Sequence, residues 1–269
     1  MSLSRSYSFI LTPLKFIAVG LFGAFVILPT VFIFPLALNR TDVLSFPPQG
    51  LGFRHFNNVL HSPVWLHAFG TSFEVAGAAA AVATVVGTVA ALVLPVTNRW
   101  LARPLELAAV APLVIPPVVL AIAWYSLFSR LHMIGSMTAV ILGLSVLGLP
   151  IVYLNVVAGL ANFDHDLVLA ARSLGGRPPV VFGRIVLPLT APSIIAGLVL
   201  AFVLAFDELI ITLFVGGGVI GTLPVQMWAQ IGFNATPDVA AVAAVSVLIT
   251  LGGFALATAL WRWRSARAS

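Results

Sequence analysis

Met137–Gly159 reads MTAVILGLSVLGLPIVYLNVVAG, with no charged side chain anywhere in it. At a rise of about 1.5 Å per residue, a helix of this length reaches about 34 Å, enough to cross a hydrocarbon core of about 30 Å. The segment is apolar on every face, so lipid and neighbouring helices must solvate it. Working outward, five more stretches have the same character: Phe16–Leu38, Ser72–Val96, Leu107–Phe128, Ser193–Val215 and Val239–Trp261. The expected fold class is an all-α integral membrane protein with six spans.

Composition agrees. Hydrophobic residues make up 61% of the 269 residues and charged residues 8%, against about 25% charged in an ordinary soluble domain. The mean hydropathy is +1.12. The high sequence pI of 10.7 does not point to nucleic acid, because the basic residues stand singly at the ends of apolar runs. Such placement controls orientation in a membrane. With both termini cytoplasmic, the inner loops and tails hold Arg5, Lys15, Arg99, Arg103, Arg172, Arg177, Arg184, Arg262, Arg264 and Arg267, and the outer loops hold Arg40, Arg54 and Arg130. That asymmetry predicts the topology. Phe16–Leu38 is longer than the roughly 7–15 residues of a signal-peptide core and has no small-residue cleavage site, so it reads as an uncleaved first span. Zero cysteines exclude disulfides and thiolate metal sites. The Ala-rich stretch Ala76–Ala83 suits close helix packing.

The segment between the fourth and fifth spans, Leu160–Pro192, reads LANFDHDLVLAARSLGGRPPVVFGRIVLPLTAP. Leu167, Ala170, Ala171 and Leu174 recur at i, i+3, i+4 and i+7, one face of a short helix. Asp164 or Asp166 can cap its start. Gly175 and Gly176 are expected in the positive-φ conformation that ends it. Pro178-Pro179 suits the first turn of a second helix. The expectation is a helix–turn–helix at the cytoplasmic surface with a small apolar face open to a partner.

The spacing of Ala170-Ala171, Gly175, Ile185 and Leu187-Pro188 resembles the cytoplasmic signature loop of binding-protein-dependent ABC importer permeases. Ala111–Trp124 (APLVIPPVVLAIAW) and Phe206–Gly217 (FDELIITLFVGG) are similar to the polyamine-type, spermidine/putrescine branch. The resemblance implies a six-helix type I importer transmembrane domain. It implies that Ala170, Ala171, Gly175, Ile185, Leu187 and Pro188 dock on a cytoplasmic ATPase dimer. The other partners it implies are a second permease subunit, identical or homologous, and a periplasmic substrate-binding protein. ATP and Mg would be used by the ATPase and not by this chain. Leu169 stands where the family usually carries Glu, so that docking contact is absent or taken over by Asp166 or Arg172. On this reading residues 1–66 form a cytoplasmic tail, first span and periplasmic loop, residues 67–261 the transmembrane core with its docking loop at 160–190, and residues 262–269 a cytoplasmic tail.

Few charges fall within the spans. Asp207 and Glu208 lie inside the fifth, and a carboxylate near a span centre costs about 2.5–3.5 kcal/mol on insertion scales. One reading is a passage lined by carboxylate that favours a cationic group on the solute; the other is a polar contact between helices. On a continuous helix the two side chains would point about 100° apart. Glu74, near the outer end of the second span, is a weaker passage candidate because it can reach water. No Lys or Arg lies deep in a span, which favours a solute with at least one ammonium group, or a metal cation, over a fully anionic one; the resemblance implies a polyamine or aminoalkylphosphonate type, with ferric iron or an oxyanion as the alternative cargo. Pro116-Pro117 is expected to kink the third span, with Trp124 and Tyr125 following as passage-lining or packing aromatics. His55, His61 and His67 fit no metal spacing and read as surface residues. Gly216–Asp238, with Trp228, is expected along the outer surface, and Thr236-Pro237-Asp238 reads as a helix start.

The chain has no GxxxxGK[ST] loop, no HExxH and no GxSxG, so nothing in it binds ATP in the usual phosphate loop or marks it as a hydrolase. A self-contained secondary transporter would show paired broken helices, and the sequence offers a single kinked span. A membrane enzyme would need a converging set of catalytic groups, and the spans offer two adjacent carboxylates.

Overall fold

The structure is a computed structural model that describes residues 3–161, 165–233 and 236–268. Among these residues it is helical, with a single isolated antiparallel bridge, Asn39 to Leu51. The helices are α1 (Leu3–Ala37), α2 (Arg54–His61), α3 (Pro63–Val93), α4 (Arg99–Val110), α5 (Pro117–Arg130), α6 (Met137–Ala161), α7 (His165–Ser173), α8 (Pro178–Val181), α9 (Leu187–Phe206), α10 (Ile210–Val215), α11 (Leu223–Phe233) and α12 (Pro237–Ala268).

Among the described residues four continuous helical stretches are long and apolar enough to cross a membrane: Pro63–Val96, Met137–Ala161, Pro178–Phe206 and Pro237–Ala259. Two bent pairs bring the count to six. In α1 the halves Val19–Phe25 and Ile27–Ala37 meet at 40°; Pro29 has no N–H to donate to the carbonyl of Phe25, four residues back. In the third span the break is sharper than a kink. Arg99–Leu113 and Pro117–Arg130 meet at 110°, because Pro116 and Pro117 together withdraw two donors and Pro116 takes an extended ψ of 137°.

The chain divides into two compact units, one of residues 1–62 and 229–248, the other of residues 63–228 and 249–269. In the first, Asn39 is fully buried and organises the loop after α1. Its Nδ2 donates to the Val43 carbonyl and to Ser45 Oγ, both at 3.0 Å, and its Oδ1 accepts from the backbone of Thr41 and Gln49. Every polar atom of that buried amide is engaged, as burial requires.

The second unit is built on α3, α6 and α9. Apolar burial gives helices in lipid no reason to associate, so close packing of small residues does that work. Ala76, Ala79, Ala80 and Ala83 of α3 are buried, with Ala80 and Ala83 in one cluster with Val152, Val156 and Ala201. Gly197 of α9 approaches the backbone of Val152 so closely that a Cβ would lie 3.0 Å from its Cα. At the end of α6, a Cβ on Gly159 would lie 2.7 Å from Cβ of Ser193. These two crossings pin together the helices that flank the segment between the fourth and fifth spans.

Candidate functional site: a surface helix and a broken span

The segment after α6 forms α7, and Ala170 and Ala171 lie on it. Asp164, one of the two expected caps, lies outside the described residues; Asp166 sits in the first turn. The helix ends in a Schellman arrangement. The Gly175 N–H donates to the Arg172 carbonyl and the Gly176 N–H to the Ala171 carbonyl, each at 2.9 Å. Gly175 has φ +83°, the left-handed conformation that penalises other residues. Gly176 does not share it, contrary to expectation. It is needed for space instead, because a Cβ there would meet the Ala171 carbonyl oxygen at 2.6 Å. Leu167, Leu169 and Ala170 are exposed and Ala171 is half-buried; Leu174 is 89% exposed. The expected apolar face therefore stands open.

The second helix of the expected hairpin is not separate. α8 opens at Pro178-Pro179 and runs through a π turn, Phe182–Val186, straight into α9. Pro188 cannot donate to the carbonyl of Arg184, four residues back, and the Leu187 N–H instead reaches Phe182 five residues back; this is the offset that defines a π bulge. Ile185 lies in the bulge, half-buried, and Leu187-Pro188 opens the next turn. The motif residues thus sit at the foot of a rod about 30 Å long that ends at Phe206.

At the top of that rod the expected continuous fifth span is broken. α9 stops at Phe206, Asp207 is its C-cap, and α10 begins at Ile210. Glu208 explains the break. Its Oε1 accepts from the Ile210 N–H and its Oε2 from the Ile211 N–H, both at 2.9 Å; the Thr212 N–H lies at 3.4 Å. The carboxylate thus satisfies the unpaired donors at a helix N-terminus, the end that favours negative charge. Asp207 is arranged differently. Its side chain is exposed, and its Oδ2 accepts from Thr250 Oγ1 of α12 at 3.0 Å. The two carboxylates, indistinguishable in sequence, have separate surroundings.

Other candidates fall around this break. Phe73 of α3 packs on Phe202 and Phe206 at ring separations of 5.8 and 5.2 Å. Its neighbour Glu74 is exposed, and among the described residues no hydrogen bond joins it to Asp207 or Glu208. Tyr125 of α5 shares an open cleft with Ile122, Leu213 and Phe214, the last two on α10. Trp124 instead stacks on Phe128 at 5.3 Å.

The sequence reading missed one buried polar pair. His55, expected at the surface, is 1% exposed. Its Nδ1 lies 2.5 Å from Asp238 Oδ1 and its Nε2 3.1 Å from the Thr41 carbonyl. Asp238 lies 183 residues further along the chain, so no local signal linked them. His61 and His67 are exposed as expected. Among the described residues no group of His, Cys, Asp and Glu could hold a metal ion.

Comparison with known proteins places this arrangement. The family described as binding-protein-dependent transport system inner membrane component matches residues 83–263. The putrescine transport system permease protein PotI of Escherichia coli K12 is 32% identical over 201 residues, 72% of each chain. The molybdenum transport system permease protein ModB of Mycobacterium tuberculosis is 33% identical over 202 residues, 67% of this chain and 75% of its own. Among solved structures, a bacterial ABC transporter that imports the acidic polysaccharide alginate aligns with a TM-score of 0.66 at 14% identity, covering 95% of this chain and 97% of that one.

Proposed function

This chain belongs to the family of binding-protein-dependent transport system inner membrane components, and we propose that within it the cargo is an amine-bearing solute recognised by Asp207. The chain is a transport permease of an ABC importer, not an enzyme, and a multi-pass protein of a bacterial inner membrane. One observation carries the cargo reading. Of the two carboxylates at the break in the fifth span, Glu208 is engaged by its own backbone, while Asp207 is exposed and, among the described residues, keeps one oxygen without a hydrogen-bond partner. A carboxylate facing lipid is costly, so the open side of Asp207 belongs to a water-filled path, where it favours an ammonium group.

The remaining machinery follows from the same reading. The exposed apolar face of α7 with Gly175, Ile185, Leu187 and Pro188 takes an ATPase dimer, which uses ATP and Mg. A second permease completes the passage, and a periplasmic binding protein delivers the solute. The excess of Lys and Arg in alternate loops supports a cytoplasmic position for α7 and both termini. The similarity to a putrescine permease supports an amine, whereas the molybdenum permease, at nearly the same identity, favours an oxyanion.

The deciding experiment reconstitutes the complete complex in proteoliposomes and measures ATP-dependent uptake of putrescine, an aminoalkylphosphonate and molybdate. The amine reading expects uptake of an amine-bearing solute, with Asp207→Asn raising its KM about tenfold or more. Uptake of molybdate alone, indifferent to that substitution, contradicts it.

A further inference from the structure

We infer that Thr250, on the sixth span, is a positioning residue that aims the Asp207 carboxylate at the ammonium group of the cargo; this rests on the cargo reading above. Asp207 stands at the end of α9, where the helix no longer holds its surroundings in place. A side chain there has several rotamers open to it, and among the described residues one bond selects among them: Thr250 Oγ1 donating to Oδ2 at 3.0 Å. Oδ1 is left to receive an N–H from a solute.

The bond is built into the crossing of the two spans. One turn further along α12, a Cβ on Gly253 would lie 2.9 Å from Cγ2 of Val203, which is one turn earlier on α9. The two pairs, Val203 with Gly253 and Asp207 with Thr250, run in opposite chain directions and therefore belong to one antiparallel contact. The glycine lets α12 come close enough for a short hydroxyl side chain to span the gap. A longer side chain would not need that approach.

The choice of a hydroxyl has an electrostatic consequence. Lys or Arg at this place would fix the carboxylate equally well but would cancel its charge. Threonine donates a hydrogen bond and leaves the full negative charge for the cargo. The neighbouring Glu208 charge faces three backbone N–H groups, so Asp207 presents the open charge at this level of the span. Fixing its geometry before the cargo arrives lowers the ordering cost of binding.

The test uses the complete reconstituted complex with putrescine as the probe, comparing Thr250→Val, Thr250→Ser, Asp207→Asn and the Val/Asn double variant. A hydrogen bond to a charged group corresponds to about a tenfold effect. Thr250→Val is therefore expected to raise KM about tenfold with the maximal uptake rate within about twofold, and Thr250→Ser to restore it. In the Asp207→Asn background, Thr250→Val should add nothing further. If Asp207→Asn raises KM but Thr250→Val does not, the positioning role is wrong and the cargo reading stands. If neither changes KM, the cargo reading itself falls, and this inference with it. If Val and Ser variants lose uptake rate and thermal stability equally, Thr250 is a packing residue and the inference is overturned.

Discussion

The carboxylate of Glu208 accepts the backbone N–H of Ile211 at 2.9 Å across the gap between α9 and α10. With its second oxygen on the Ile210 N–H, it acts as a cap for the short helix α10 that follows the break. Losing a helix cap typically costs about 0.5–2 kcal/mol. Glu208→Ala should therefore lower the thermal midpoint of the purified protein, and Glu208→Gln, which keeps one acceptor, should lower it less. Asp207→Asn should leave it nearly unchanged. Thermal unfolding in one detergent, compared across the three variants, checks this; equal loss in Glu208→Ala and Asp207→Asn would contradict the division of roles.

The buried His55–Asp238 pair ties the start of α12 to α2 and to the loop that Asn39 organises. His55 is the buried member and Asp238 keeps 31% of its side chain exposed, so it is removal of Asp238 that leaves a buried polar group short of its partner, at about 1–3 kcal/mol. Asp238→Ala is expected to expose the 39–53 loop to protease added to the purified protein, while His61→Ala, at an exposed position, leaves it resistant. Cleavage rates for the two variants are the measurement.

Gly159 and Ser193 hold α6 and α9 in close contact. Gly159→Ala places a methyl group 2.2 Å from Ser193 Oγ and 2.7 Å from its Cβ, so the helices must separate. Overpacking of this kind costs about 1–3 kcal/mol. Ser193→Gly in the same chain should recover most of the loss, and additive effects of the two substitutions would show that they do not meet. A double-mutant cycle on thermal stability reads the coupling directly.

Much of this is legible in the amino-acid sequence. The six apolar stretches, the surface helix ending at Gly175 and the oddity of Asp207-Glu208 inside a span all follow from residue type and spacing. What stayed hidden depended on contacts that spacing does not encode. The fifth span reads as one apolar run, and its break appears only when Glu208 folds back on Ile210 and Ile211. The tie between His55 and Asp238 joins α2 to the start of α12 across 183 residues, a separation that no local pattern bridges. Pro116-Pro117 signals a kink, but the 110° turn arises because two consecutive donors are missing and Pro116 takes an extended ψ, a combination that spacing alone does not distinguish from a mild bend. The separate second helix of the α7 hairpin failed for the opposite reason: Pro178-Pro179 starts a helix that nothing stops before Phe206.

The central claim, that α7 and its glycine turn link ATP hydrolysis to movement of a solute, is tested most directly at Gly175. Its φ of +83° is one that a β-branched residue resists, at a cost of about 1–3 kcal/mol. Gly175→Val should misplace α7 while α6 and α9 still cross the membrane. Solute imported and ATP hydrolysed, measured together in the same proteoliposomes with ATPase and binding protein present, give the coupling ratio. The account predicts that wild-type uptake requires ATP and that Gly175→Val lowers the number of solutes moved per ATP several-fold with membrane insertion intact. Uptake that proceeds without ATP, or an unchanged ratio in the variant, would contradict it.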